Sequence, residues 1–415
     1  MSRVVIIGGG IIGLCTALYC REAGFEVTVL EQGGPDDKPC SWGNSGLIVP
    51  SHFVPLAAPG MVAMGVRMLP DKSSPFAFHM PPTAQQLVWS LRFAMNCRAS
   101  NVAASSPFLS DMNLLSRGLY EGLAARLGGF AFRRSGMLEL YQSQESLDHG
   151  AHIAKVARNL GQDAEVLDRA GVHGLEPELR PECTGGVIFR DDAQIDPSAV
   201  LQTVKQHLES IGVDIRHQAK VVDFEAGTDA IEAVITDDDR VEADHIVVAA
   251  GTLSTTVCHT LGVHVPLQSG KGYSFVVHQP PVEHKMPSIL VDARVAVSPL
   301  EGRVRFGGTM EIGGQLGEVD AQRLGGIVKG VRRYFPAYEN VEMPSGEVWE
   351  GLRPCSPDGV PIIGHVPGWK NLILATGHAM MGMSLGPATG LVVSELLQGR
   401  PTSLDLHLAS PARFG

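Results

Sequence analysis

The sequence predicts an α/β fold of more than one domain, and three observations predict it. A strand, a glycine-rich turn, a helix and a second strand follow one another within the first 31 residues. A second apolar run, Ala243 to Ala249, ends in small residues, as a parallel strand does where its carboxyl end meets a ligand. The length, 415 residues, exceeds the roughly 250–300 at which a single core stops growing. Glycine (48) and proline (27) are abundant, yet 44% of the residues are hydrophobic and 19% charged. That balance marks a globular chain with many tight turns rather than a disordered one.

The first unit is legible residue by residue. Arg3 to Ile7 is an unbroken β-branched run, the mark of a buried parallel strand. Gly8-Gly9-Gly10-Ile11-Ile12-Gly13 follows, then an amphipathic stretch from Leu14 to Ala23, with Gly24 where the helix should end. Phe25 to Leu30 is the second strand, and Glu31 and Gln32 stand directly after it. This is the Rossmann pattern. Gly8 permits the tight turn, Gly10 lets backbone approach a pyrophosphate, and Gly13 lets the helix lie close to the sheet. The amides of Ile11 and Ile12 open the helix and present a partial positive charge to phosphates. Glu31 is placed to accept hydrogen bonds from ribose hydroxyls. The motif by itself fits NAD and FAD equally.

Further along, the periodicity predicts a helical region over roughly 83–127, a strand from Phe132 to Tyr141 and a helix from Gln144 to Leu160. Asp196-Pro197 reads as an N-cap and first turn, with a helix running to Ile211. Strands are expected at 214–216, 220–226, 230–236 and 243–249, a β-rich stretch over 264–310, and a helix from Asp320 to Tyr334. Near the C-terminus Gly351-Leu352-Arg353-Pro354 leads to Pro357-Asp358-Gly359. A strand at 371–375 runs into Thr376-Gly377-His378 and a last helix ending near Leu397.

Lys and Arg number 33 against 44 Asp and Glu, a net charge of −11. No basic run occurs, which argues against nucleic acid. The seven cysteines are scattered without a CxxC pair, so neither a disulfide framework nor a metal site is indicated, and a reducing cytoplasm is expected. No window approaches 18 uninterrupted apolar residues, so no transmembrane segment is expected, and the N-terminus is unlike a signal peptide. Peripheral contact at the inner face of a membrane stays open.

Four motifs taken together, the glycine turn with Glu31, Ser41 to Gly46, Gly351 to Gly359, and Thr376-Gly377-His378, resemble the FAD-dependent D-amino-acid oxidase superfamily. Within it the chain is most similar to the D-amino-acid dehydrogenase small-subunit-like branch. The resemblance implies FAD, a Rossmann-like FAD-binding domain of the glutathione-reductase type, and an α+β substrate domain on an antiparallel sheet. It divides the chain into FAD-binding segments 1–75, 184–255 and 344–415 and substrate-binding segments 76–183 and 256–343. It places Ser41, Asn44, Ser45, Gly46 and Leu47 along the flavin and pyrophosphate, and Val221 or Val222 at the adenine. Ala250 and Gly251 would face the dinucleotide. Gly351, Gly377, His378, Gly382 and Met383 would approach the isoalloxazine, with a helix from about Ser384 aiming its positive end there. Some relatives attach the flavin through a cysteine of the C-terminal motif. Gly351 holds that position here, so FAD is expected to be non-covalent, and Cys355 to be a packing residue.

The same resemblance implies oxidation of an amine beside a carboxylate, by hydride transfer from Cα to flavin N5. Arg353 would pair with the substrate carboxylate through a bidentate fork that stays charged when desolvated. Tyr273 would bond the carboxylate or line the pocket, and His52 would meet substrate polar groups. Asp358 would fix the loop after Arg353; Lys271 would be either a surface charge or a flavin neighbour. The segment Pro50 to Gly60 resembles that of dehydrogenases acting on D-proline or cis-4-hydroxy-D-proline. The expected acceptor is a quinone or an electron-transfer partner rather than oxygen. A glycine or sarcosine oxidase, an NAD-dependent dehydrogenase (which the C-terminal motifs disfavour) and a non-catalytic flavin-bound subunit are the competing readings.

Overall fold

A computed structural model describes residues 1–317 and 319–414. Strand β1 (Arg3–Ile7), helix α1 (Ile11–Glu22) and strand β2 (Glu26–Leu30) form the opening βαβ unit. β1 is buried at four of its five residues, which is why it reads as an unbroken apolar run. The chain then carries β3 (Leu47–Ile48), α2 (Met61–Met68) and β4 (Phe76–Phe78).

The single helical region expected over 83–127 is two helices, α3 (Ala84–Asn96) and α4 (Ala99–Leu127). Cys97 and Arg98 leave helical geometry between them. The strand expected from Phe132 to Tyr141 is likewise two, β5 (Phe132–Arg133) and β6 (Met137–Tyr141), parted at Gly136, whose φ is 72°. That left-handed conformation strains any other residue.

There follow α5 (Gln144–Asn159), β7 (Ala164–Asp168), α6 (Arg169–Leu175), β8 (Gly185–Phe189) and β9 (Ala193–Ile195). The Asp196 side chain caps α7 (Pro197–Ser210), accepting from the Ser198 amide, as its sequence signalled. Strands β10 (Asp214–Arg216), β11 (Val221–Ala226), β12 (Ile231–Thr236), β13 (Arg240–Glu242) and β14 (His245–Val248) come next, then α8 (Ser254–His259). The β-rich stretch is β15 (Gln268–His278), β16 (Ser288–Leu290), β17 (Val295–Leu300) and β18 (Arg303–Ile312). The chain closes with α9 (Ala321–Tyr334), β19 (Val348–Cys355), β20 (Ile362–His365), β21 (Leu372–Thr376) and α10 (Gly382–Leu397).

Two large sheets organise these elements. The first runs β10-β2-β1-β14-β21-β20 and is parallel except for β20. The second runs β19-β15-β18-β17-β16-β6-β8-β7, with β4 beside β18. Its pairs are antiparallel except β16–β6 and β18–β4, which are parallel, so the expected antiparallel sheet is a mixed one. β8 and β19 belong to this second sheet, although segments 184–255 and 344–415 put them in the FAD-binding unit. Pairing partners on other segments of the chain, β6 and β7 for β8 and β15 for β19, decide this, and a strand's own sequence does not name them.

The first sheet packs α1 and α10 on one face and a smaller core with Phe224, Val234 and Cys258 on the other. The helical run 379–397 is long and apolar enough to cross a membrane. Here it is a core element, packed against α1 and α4. The second sheet buries Tyr273, Phe275 and Phe306 on one face, against Val331 and Tyr334 of α9. Its other face turns toward the first unit.

Candidate active site

The glycine turn does what its spacing predicts. Gly8 has φ 114°, and a Cβ there would stand 2.5 Å from the Ala249 carbonyl oxygen. A Cβ on Gly13 would stand 1.8 Å from the Gly8 carbonyl oxygen, so α1 rests on the end of β1 with no space between. Gly10 is different: it meets only the Ser41 Oγ, at 3.7 Å. The helix end it exposes is therefore an open cradle. The Ile11 amide donates to Ser41 Oγ at 3.2 Å, so Ser41 sits on the helix N-terminus where an anion is favoured. Glu31 accepts from the Gly9 amide (2.7 Å) and the Gly33 amide (2.8 Å), and Gln32 beside it is exposed. Ala250 abuts Gly8 across the turn, and Gly251, with φ 57°, accepts from the Thr376 hydroxyl. The Ala219 amide donates to the Glu31 carbonyl, which ties the segment before β11 to the Glu31 end of the cradle. Val221 and the exposed Val222 lie there, at a bulge in β11. An open cradle, a helix end and an acid in this order fit a dinucleotide.

The second sheet supplies the opposing wall. Direct cross-strand partners share a face, and one row of them runs Glu139, Ile289, Ala296, Gly307, Ser274, Trp349. Its middle is small, and the 41–46 loop lies on it. Ser274 Oγ donates to the Gly43 carbonyl at 2.9 Å, and Arg305 to the Asn44 carbonyl at 2.6 Å. Ser45 approaches Gly307. Asn44 Oδ1 accepts from the Gly46 amide at 2.8 Å, and Gly46 (φ 69°) presses on the Ile195 carbonyl. Leu47 is buried in β3, paired with Gln194.

Gly351 is displaced from its expected role. A Cβ on it, or on Gly43, would stand 2.0 Å from the Trp349 indole. Both glycines make room for that ring, so Gly351 is covered rather than turned to a ligand. Trp349 was not singled out in the sequence, although it lies two residues before Gly351 and so on the same face of a strand.

The last helix forms a third side. α10 starts at Gly382, two residues before the expected Ser384, and a 3₁₀ turn, Ala379–Met381, precedes it. Gly377 has φ 76°. His378 is buried, 3.0 Å from the Thr389 hydroxyl, and bridges to Cys355 of β19. Burial lowers its pKa to about 3, so the ring is neutral. The buried Met383 offers its carbonyl to the Tyr120 hydroxyl at 2.7 Å, and Ser384 Oγ accepts from the Val49 amide at 3.0 Å. The positive end of α10 thus sits between β19 and the turn that carries His52.

Arg353 projects from β19 on the same face as Trp349 and Gly351. Its Nη1 donates to the Thr309 carbonyl at 2.9 Å and to the Gly270 carbonyl at 3.5 Å. A Cβ on Gly272 would stand 2.2 Å from the guanidinium, so glycine is what admits it. Burial lowers its pKa, with the Cys40 and Cys355 thiols nearby opposing that shift. Among the described residues no carboxylate pairs with it. A desolvated cation held only by neutral carbonyls retains its charge for an incoming anion.

Tyr273 is not brought to Arg353. It points to the other face of β15, 1% exposed in the core with α9. Its hydroxyl accepts from the Asp320 amide at 3.3 Å and approaches Glu311. The alternation of a strand forces this, since Arg353 lies over Gly272 and successive residues face opposite ways. Lys271, on Tyr273's side, is 3% exposed and pairs with Glu350 at 2.8 Å, so it is not a surface charge. Tyr273→Phe is expected to leave kcat/KM within about three-fold, and to cost about 1 kcal/mol of stability for the lost hydrogen bonds. Steady-state kinetics and thermal melts read both.

His52 lies on the Arg353 face but five strands away, its Nε2 3.9 Å from Glu139 Oε1 of β6. The side chain keeps 37% of its surface open, and its protein surroundings push the pKa down to about 4. Behind it, a buried acid escaped sequence reading. Asp192 accepts from Ser51 Oγ (2.6 Å) and the Ser51 amide (3.1 Å), and burial raises its pKa to about 8. Burial raises Glu139 as well. Native Asp192 therefore keeps a proton that the unfolded chain loses between about pH 4 and 8, so its contribution to stability falls as pH rises through that window. Asp192→Asn should flatten the decline from pH 5 to 8 by at most about 4 kcal/mol, measured by denaturant titration at each pH. Asp358 fixes the loop after Arg353 as expected, pairing with Arg413 at 2.7 Å and accepting from the Val360 amide. Cys355 is fully buried.

Comparison with known proteins agrees with this geometry. The chain is 29% identical over 418 residues to the D-amino acid dehydrogenase of Granulibacter bethesdensis, covering 99% of both chains. It is 27% identical to that of Helicobacter pylori, covering 96% of this chain and 95% of the other. Among solved structures, glycine oxidase from Geobacillus kaustophilus shares the fold with a TM-score of 0.80, at 20% identity and coverage of 100% and 99%. L-proline dehydrogenase from P. horikoshii superposes with a TM-score of 0.76, at 19% identity and coverage of 100% and 97%. The model of the FAD dependent oxidoreductase (DAO) family matches residues 3–396, and with nearly the whole length accounted for, the chain belongs to that family of FAD-binding oxidoreductases.

Proposed function

We propose that this chain oxidises a D-amino acid at Cα. The observation that carries the reading is Arg353: a desolvated guanidinium with no protein carboxylate, on the wall facing the dinucleotide cradle. It takes the substrate carboxylate and so fixes which hydrogen of Cα faces inward, and orientation of this kind supplies much of a rate. FAD, held at Gly8 to Gly13, Glu31, Ser41 to Gly46 and the start of α10, supplies the two-electron acceptor. The α10 N-terminus favours negative charge beside it. The two curated relatives named D-amino acid dehydrogenase support this substrate class.

Within that class the reading favours D-proline or cis-4-hydroxy-D-proline, with His52 near a ring hydroxyl. FAD is bound without a covalent link, and electrons pass to a quinone or partner protein rather than to oxygen. A cytoplasmic setting suits seven free cysteines.

The test is anaerobic bleaching of the bound flavin by D- and L-forms of proline, hydroxyproline and alanine, and by glycine. Fast bleaching by D-proline or its hydroxylated form is expected. Bleaching only by L-forms overturns the stereochemistry. D-alanine far ahead of D-proline overturns the finer specificity, and rapid peroxide release with glycine favours an oxidase. Acid precipitation is expected to leave the yellow colour in the supernatant.

A further inference from the structure

The exposed apolar side chains of this protein are concentrated in one stretch of the chain. Among the described residues fifteen large hydrophobic side chains are exposed, and eight of them fall between residues 62 and 95. They form two helical stripes. Val62, Val66 and Leu69 line α2 and its C-terminal edge at spacings of four and three. Leu87, Leu91 and Met95 line α3 at spacings of four, with Val88 beside them. Met80 joins them from the loop between, 69% exposed.

These stripes face away from the protein, because the inner sides of both helices are already used. Gly65 of α2 lies against Phe76 of β4. Trp89 of α3 is buried, stacks on Phe93, and donates its indole N–H to the Cys355 carbonyl at 3.0 Å. β4 between them hydrogen-bonds to β18. One excursion of the chain is thus fastened beside the strand that carries Arg353 and leaves an aliphatic outer surface uncovered. Single exposed apolar residues need no explanation, but eight on one excursion of the chain, aligned along two helices, mark an interaction surface.

The charges identify the partner. Between residues 39 and 110 stand four basic residues, Arg67, Lys72, Arg92 and Arg98, and one acid, Asp71. This stretch is therefore +3 in a chain of −11. Arg67, Lys72 and Arg98 are exposed, and none of the four forms an ion pair among the described residues. Unpaired cations bordering aliphatic helical stripes suit an anionic bilayer surface, where the apolar face enters the headgroup boundary and the cations meet lipid phosphates. A two-fold contact with a second copy would set these cations against their own counterparts, which disfavours a dimer through this face.

We infer that α2, α3 and the loop between them form a docking surface for an anionic lipid bilayer. Docked this way, the side of the molecule that holds Arg353 lies next to the lipid, where a lipid-soluble acceptor is dissolved. Only that consequence rests on the acceptor reading above; lipid binding itself stands or falls whichever amino acid bleaches the flavin.

The experiment is co-sedimentation of the FAD-loaded full chain with phosphatidylcholine vesicles made with and without phosphatidylserine. Binding is expected to the anionic vesicles, at least about ten-fold tighter than to the neutral ones, and weakened by salt, since each basic residue at such a surface is worth roughly five-fold. Val66→Asp with Leu91→Asp should cut binding at least ten-fold, while turnover with a soluble dye acceptor stays unchanged. Arg67→Gln with Arg98→Gln removes charge without touching the apolar stripes and should abolish the preference for anionic lipid. The inference is overturned if neither vesicle binds the protein, or if both variants bind as the parent does. It is also overturned if the aspartate variant instead dissociates a dimer seen by light scattering, which would make the face a contact between copies.

Discussion

Arg353→Met is expected to lower kcat/KM for the amino acid by about 150- to 5,000-fold. Truncating one partner of a buried, hydrogen-bonded charge pair costs about 3–5 kcal/mol, and each 1.36 kcal/mol is ten-fold. The loss should appear in KM, because the carboxylate contact exists before as well as during the reaction, and in kcat, because the same contact orients Cα. The flavin should remain bound, since among the described residues the Arg353 guanidinium hydrogen-bonds the carbonyls of Gly270 and Thr309 alone. Arg353→Lys should recover only part of the activity. A lysine offers a point charge in place of the planar fork. Loss of colour on purification of the methionine variant would instead assign Arg353 a structural task between the two units. Steady-state kinetics with an absorbance spectrum decide between these outcomes.

The second large effect separates two glycines of one motif. Gly13→Ala puts a methyl 1.8 Å from the Gly8 carbonyl oxygen. The oxygen belongs to backbone held at the end of β1 and the methyl is fixed to α1, so relief requires lifting α1 from the sheet. The cost is expected to be about 3 kcal/mol or more, a large part of a stability of some 5–15 kcal/mol, and the protein should purify colourless. Gly10→Ala meets only Ser41 Oγ at 3.7 Å, and its φ of −74° suits alanine. Its apoprotein should melt within about 1 kcal/mol of the parent. FAD affinity should still fall at least about ten-fold, or 1.4 kcal/mol, because the methyl occupies the cradle. Thermal melts with and without FAD, and titration of the apoprotein with FAD, separate the two. Equal melting of the two variants would refute the distinction.

Much of the first unit was legible because its signals are local. A glycine spacing, a β-branched run and a terminal acid each act within a few residues, and the structure places Gly8, Gly10, Gly13 and Glu31 at the turn those signals describe. The Asp196-Pro197 cap is of the same kind. The opposing wall was less legible. Tyr273 sits in a Lys-Gly-Tyr segment that suggests a binding residue, yet strand alternation turns it into the α9 core, and only the pairing of β15 with β19 shows which neighbours it has. Trp349 and Asp192 carried no local signal at all. One matters through the space that Gly43 and Gly351 leave for its ring, the other through a contact with Ser51 made 141 residues away.

The sequence by itself determined the dinucleotide-type glycine turn, while Arg353 as the anion-binding candidate and the FAD-dependent class followed from the family that its four motifs together resemble. Short-range geometry and residue chemistry are enough for the turn, and motif resemblance for the other two. Only the tertiary structure decided that β8 and β19 join the second sheet, that Arg353 and Tyr273 look in opposite directions, and that α2 and α3 turn aliphatic faces outward. Each of these depends on which surfaces meet when distant segments pack. Sheet pairing and burial are properties of two partners at once, whereas a sequence pattern describes only one of them.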